Sequence, residues 1–283
     1  MVPNERKDSL GQHLRLKYLL RPLLRALLLI VTMLGALYFL QDRLLHYPEA
    51  IEPAAALALA RESRLDPWPD ATEIRGWMRQ SPRTTRGTIV LFHGNGGHAL
   101  HRNWFADQME SHGYRTLLAE YPGYGHRSGP KDEASLVADA TKTLKVLRQQ
   151  FAGPLFLAGE SLGAGVASGV AAHAGPGIDG VLLITPWDNL IGVASHYYPA
   201  PLVRLLLRDR YDSVANLRGF MGPKLVLVAA RDSIIPAEYG RALHAGLGAR
   251  KKLMEIPDAD HNDWLYSMRP ALWREMLDFL EGG

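Results

Sequence analysis

The residues best placed for chemistry form a serine turn between glycines. Gly159-Glu160-Ser161-Leu162-Gly163 follows the apolar run Leu155 to Ala158 and opens a stretch of small residues, Ala164 to Ala174. A serine in a sharp strand-to-helix turn has a strained backbone and an exposed hydroxyl. The flanking glycines are needed there because a Cβ would collide with the neighbouring strand and helix. Such a serine attacks acyl carbonyls when a base lies within reach. Read alone, its lesser reading is as the N-cap of the following helix.

Positions for the base and its partner come from the elements around it. From about residue 70 short β-rich runs alternate with helical patterns, the sign of a doubly wound, mostly parallel sheet with flanking helices. Strands are expected at 73–79, 88–92, 115–120, 155–158, 180–184, 224–229 and 252–256, and helices at 101–112, 133–150, 161–174, 237–247 and 264–280. Active sites of such sheets lie beyond the carboxyl ends of strands. Those positions hold His93-Gly94-Asn95-Gly96-Gly97, Ser161, Arg231-Asp232 and Asp258-Ala259-Asp260-His261. Nucleophile, acid and histidine thus run in the order Ser161, Asp232, His261, the order of α/β-hydrolase triads.

Composition narrows the class. The 283 residues are 47% hydrophobic and 22% charged, ordinary for a globular chain, and show no internal repeat or second domain. The formal charge of +3 owes much to Arg6, Lys7, Arg15, Lys17, Arg21 and Arg25, so it does not argue for nucleic acid as a partner. With no cysteine, disulfides, thiolate metal sites and a thiol nucleophile are excluded. The histidines other than His93 and His261 show no metal-ligand spacing, and neither metal nor cofactor is expected. Fifteen uncharged residues, Ala26 to Leu40, extend to Leu23 and Leu24 if Arg25 snorkels, and no small-x-small cleavage site follows. A signal anchor over 23–41 is expected, with the basic 1–22 in the cytoplasm and the rest across the membrane. Residues 42–69 read as a connector with a short helix, 70–283 as the catalytic domain.

The set HGNGG, EYPGYGHRSG, GESLGAG, ARDSIIP and ADHND resembles the α/β-hydrolase superfamily over about residues 70–281, and within it a membrane-anchored, nearly lidless group related to serine-aminopeptidase-like hydrolases. The resemblance implies the α/β-hydrolase fold and a Ser-His-Asp mechanism, with Ser161 as nucleophile, His261 as base and Asp232 orienting it. The backbone N–H of Leu162 is one oxyanion donor, and the resemblance puts the second at Asn95, with Gly94 and Gly96 allowing close approach of substrate. It also gives His93 a supporting role in that loop. Asp258, Asp260 and Asp263 crowd His261 and are rivals of Asp232. Tyr124 belongs either to a rim loop or to the substrate site. The insertion 187–215, with Tyr197 among its apolar residues, either caps Ser161 or packs on the sheet.

These readings lead to a membrane-anchored serine hydrolase that cleaves a carboxylic ester or thioester of a small or lipid-like acyl substrate. A peptidase or amidase of the same fold, or a non-catalytic hydrolase-like binding protein, are the alternatives.

Overall fold

The computed structural model describes residues 5–80, 85–173 and 177–282, with the backbone alone for 5–19. The basic segment 1–22 therefore lies largely outside the described side chains, as does Ala174 at the end of its expected helix. In chain order the elements are α1 (Glu5–Leu45), β1 (Tyr47–Pro48), α2 (Pro53–Glu62), β2 (Asp66–Pro69), β3 (Ile74–Arg79), β4 (Thr88–Phe92) and β5 (Gly96–Gly97). There follow a 3-10 turn (Ala99–Arg102), α3 (Asn103–Ser111), β6 (Arg115–Ala119), α4 (Glu133–Gln150), β7 (Leu155–Glu160), α5 (Leu162–His173) and β8 (Gly180–Ile184). The chain ends with α6 (Leu190–Tyr197), α7 (Ala200–Leu206), α8 (Ser213–Leu217), β9 (Lys224–Ala229), α9 (Ala237–Gly246), β10 (Lys251–Ile256), a second 3-10 turn (Trp264–Ser267) and α10 (Pro270–Leu280).

Eight strands form one sheet in the order β10-β9-β8-β7-β4-β6-β3-β2. From β10 to β6 every pairing is parallel, while β3 runs antiparallel to β6 and β2 antiparallel to β3. The central strands are buried on both faces, so they read as continuous apolar runs. Their alternate side chains still divide into two cores. Val90, Phe92, Leu157, Leu183 and Val226 pack with α4, α5 and α8 on one side. Ile89, Leu91, Ala158, Leu182 and Leu225 pack with α3 and α10 on the other. Helix α5, mostly Gly, Ala and Val, is buried from Leu162 through Ala171, as a helix apolar on every side must be.

Two expectations are corrected near the N-terminus. The helix does not stop at residue 41: its apolar, membrane-length part spans Leu20–Leu45, 26 residues of mean hydropathy 2.2 with none of the window buried. No proline lies between Pro22, which stands inside the helix, and Pro48, and at 1.5 Å per residue the 26 residues are longer than the ~30 Å of a hydrocarbon core. Nor is 42–69 a connector. β2 is an edge strand of the main sheet, and β1 pairs in parallel with β5, with Tyr47 opposite Gly96. The expected helix 101–112 divides into a 3-10 turn and α3. The expected helix 264–280 is divided before Pro270, which stands in the first turn of α10 and has no N–H to continue a preceding helix.

Candidate active site

Ser161 stands between the end of β7 and the start of α5 with φ of 55°, left-handed backbone that a non-glycine residue adopts only under constraint. Its N–H donates to Ile184 O at 2.9 Å, and its carbonyl accepts from Ala164 N. The neighbours leave no alternative. A Cβ on Gly159 would lie 2.2 Å from Gly163 O, and one on Gly163 would lie 2.0 Å from Phe92 O. Leu162 is the first residue of α5, so its N–H has no helical acceptor and points from the positive end of the helix.

His261, after β10, brings Nε2 to 3.0 Å from Ser161 Oγ, and its Nδ1 is 2.7 Å from Asp232 Oδ2. A carboxylate can only accept, so Nδ1 carries the proton and Nε2 is left to accept from the serine hydroxyl. Asp232 is itself fixed. Its Oδ1 accepts from the backbone N–H of Ile234 at 2.9 Å and Ile235 at 2.6 Å. The rival carboxylates do other work. Asp260 accepts from Ser233 N and His261 N, bonds that hold its carboxyl below the usual range. Asp263 accepts from Asp260 N, and Asp258 pairs with Arg231 on the surface. Together they shape the loop that carries the imidazole.

The glycine loop after β4 is held from behind. Asn95 directs its amide nitrogen to Leu45 O, while its carbonyl accepts from Tyr47 N and from the Tyr124 hydroxyl. With side chain and carbonyl engaged, what Asn95 can offer the cavity is its backbone N–H. Tyr124 is thereby reassigned. It is 1% exposed and does not line the cavity; its hydroxyl, having one proton to give to Asn95 O, accepts from His46 Nδ1 at 2.9 Å. The expectation of substrate contact by Tyr124 is corrected to support of this loop. Burial lowers the His46 pKa to about 4. His93 also lies behind the loop, between Glu120 Oε1 and Gly94 O.

A cavity of about 780 Å³ opens over Ser161 and His261, lined by Gly94, Asn95 and Gly96, by Trp187, Leu190, Val193 and Tyr197, and by Ile234 and Ile235. Tyr197 is anchored through its hydroxyl to Ile234 O. Within the insertion, Leu190, Val193 and Tyr197 of α6 line the cavity, while Tyr211 is buried in the core against the sheet. Three groups of wall residues were not expected. Leu44 and Leu45 come from the end of α1, Tyr47 and Glu49 from β1 and the residue after it, and Arg102 pairs with Glu160 through Nε at 2.6 Å beside Ser161. α1 is fastened to α7: Gln41 donates to Leu206 O and accepts from Arg208 N, and Asp42 pairs with Arg208. Glu160, inside the serine motif, is the one local signal that could have pointed to the Arg102 pair.

A mostly parallel sheet with a strained serine at one strand end and a histidine after its last strand is the plan of an α/β hydrolase. The profile of the family described as Serine aminopeptidase, S33 matches residues 83–218. An uncharacterized protein of Mycobacterium tuberculosis is 31% identical over 231 residues, covering 79% of this chain and 81% of its own. The chain belongs to the α/β-hydrolase superfamily. The lysophosphatidylserine lipase ABHD12 of Danio rerio is 27% identical over 195 residues; these cover 62% of this chain and about half, 51%, of the relative. Among solved structures, esterase Pf2001 of Pyrococcus furiosus superposes with a TM-score of 0.60 at 16% identity, over 73% of this chain and 84% of its own. Est1E of Butyrivibrio proteoclasticus, solved with ferulic acid, gives 0.58 at 17% identity, over 72% and 94%. At those identities the likeness is one of fold.

Proposed function

We propose that the protein is a membrane-anchored serine hydrolase that cleaves the carboxylic ester of an amphiphilic acyl substrate. The observation that carries this reading is the hydrogen-bonded line Ser161, His261, Asp232 at a cavity whose wall includes Leu44 and Leu45 of a helix long enough to cross a membrane. Ser161 Oγ attacks the acyl carbonyl while His261 Nε2 takes its proton, and Asp232 keeps Nδ1 protonated and balances the imidazolium. The tetrahedral oxyanion is met by the N–H of Leu162 and the backbone N–H of Asn95, each such donor contributing about 3 kcal/mol. His261 then returns its proton to the leaving alcohol, and water releases the acyl group by the same steps in reverse. The aliphatic walls suit an acyl chain, in keeping with the lipase named among the relatives.

In this proposal residues 1–22 stay in the cytoplasm, the helix ending at Leu45 spans the bilayer, and the catalytic domain lies on the opposite face, since the flanking basic residues are on the N-terminal side. Labelling of the full-length protein in detergent by a fluorophosphonate, with hydrolysis of p-nitrophenyl esters of increasing chain length, tests the chemistry. Ser161→Ala and His261→Ala should abolish both, and a folded wild type that neither labels nor turns over any ester overturns it. A reporter fused after Gly283 that is active only in the cytoplasm overturns the orientation.

A further inference from the structure

We propose that Glu49, His98 and His101 bind one divalent transition-metal ion of the zinc type, set between the segment that follows the membrane helix and the glycine loop beside Ser161. The inference does not depend on the hydrolytic reading.

Local geometry brings the three residues together. His101 N donates to His98 O at 3.1 Å, closing the first turn of the 3-10 segment on the extended residue that caps it. The two imidazoles lie with ring centroids 3.8 Å apart. Glu49 arrives from the other strand of the small sheet: its N–H donates to Gly97 O at 3.1 Å, and its Oε2 lies 3.9 Å from His101 Nε2. Nothing larger than glycine fits at position 97, where a Cβ would lie 2.5 Å from His101 Nδ1. One donor atom from each of the three residues lies within 4.8 Å of the others. Ligand bonds of 2.0–2.2 Å in a tetrahedral site need donors ~3.4 Å apart. The side chains of Glu49 and His101, 63% and 40% exposed, are free to close that gap.

His98 points to the same use. It is 2% exposed, and its Nδ1 is buried without a hydrogen-bond partner, an uncommon state for a ring nitrogen. Two imidazoles and one carboxylate are a donor set for zinc and its neighbours, whereas calcium and magnesium prefer oxygen alone. Glu49 and His101 both line the large cavity, so an ion held by them lies at its wall. An ion held there ties residue 49 to the 3-10 turn and stiffens the Gly94–Gly97 loop between them.

The test uses the full-length, tag-free protein in detergent, stripped with a chelator and titrated with Co2+. Expected are one equivalent of Co2+ with the visible absorption of tetrahedral coordination, displacement by Zn2+, and affinity at least ~10-fold weaker in His101→Gln and in Glu49→Gln. Both residues are exposed enough for the variants to fold. Amide exchange at Gly96 and Gly97 should slow when Zn2+ is added. Failure to bind one saturable equivalent, equal affinity in the two variants and wild type, or unchanged exchange in the loop would each overturn the proposal.

Discussion

Changing Asp232 to Asn separates the oriented-base account from simple charge balance, because the structure dictates how the amide must sit. Oδ1 accepts from two backbone N–H groups, of Ile234 and Ile235, and Oδ2 faces His261 Nδ1 at 2.7 Å. An asparagine keeps its carbonyl oxygen toward the two N–H groups, since the reverse orientation would leave them unmet at a cost of about 1–3 kcal/mol each. Its NH2 then faces Nδ1, which must accept. The imidazole proton moves to Nε2, and the nitrogen that should take the proton from Ser161 now donates to it. A wrong tautomer of this kind lowers kcat by ~10^4-fold, about 5 kcal/mol of barrier, while the fold is retained. The assay is steady-state hydrolysis of p-nitrophenyl butyrate by the full-length protein, with the fluorophosphonate labelling rate as a second readout. Asp260→Asn is the control. Asp260 bonds the backbone of Ser233 and His261, not the imidazole, so its loss should stay below about tenfold, ~1.4 kcal/mol. An Asp232→Asn enzyme within tenfold of wild type, or a larger loss in Asp260→Asn, refutes the reasoning.

Three further outcomes are expected. Gly163→Ala puts a methyl 2.0 Å from the backbone oxygen of Phe92, a clash that no rotamer relieves, and should cost about 2–3 kcal/mol. A scanning calorimeter should then record a Tm about 5 °C or more below wild type. His46 is buried with its pKa lowered to about 4 from 6.5, so the stability of its neutral form is complete above pH 6.5 and drains away as pH falls from 6.5 toward 4. Urea unfolding at pH 7.5 and 4.5 should show the wild type losing about 2 kcal/mol more than His46→Asn. Leu44→Ala with Leu45→Ala removes aliphatic wall worth about 0.8 kcal/mol per methylene covered. It should lower kcat/KM for a decanoyl ester by about tenfold while leaving an acetyl ester within a factor of two.

The parts of this molecule that obey local rules were legible from residues alone. Gly159 and Gly163 announced a turn without room for side chains, and the continuous apolar runs at 89–92, 155–158 and 225–229 announced strands covered on both faces. Asp232 could be preferred to Asp258, Asp260 and Asp263 because it closes such a run, although the choice among crowded carboxylates is made by which one reaches Nδ1. Tyr124 could not be read correctly. A tyrosine in a turn-rich loop looks the same whether its hydroxyl faces a cavity or the back of a neighbouring loop, and here it donates to Asn95 O and accepts from His46, 78 positions away in the chain. His98 and His101 were passed over because they match no His-x-x-x-His pattern and Glu49, which joins them, lies about fifty positions away in the chain. β2 went unseen because Asp66-Pro67-Trp68-Pro69 carries none of the alternation of a strand, and an edge position tolerates its prolines.

The joint between α1 and α7, where Gln41 and Asp42 grip Leu206 and Arg208, bears on how the proposed enzyme would meet its substrate. A flexible tether would let the globular part tumble above the bilayer and sample every orientation. A helix that is bonded to the end of α7 and itself supplies part of the cavity wall would fix the mouth at one height and one bearing over the leaflet. Search for substrate then becomes diffusion in a plane, and the relevant concentration is molecules per unit of membrane area. Freeing the domain by cutting the helix would change the geometry of encounter as well as the solubility, since the same cut removes part of the wall along which an acyl chain would slide.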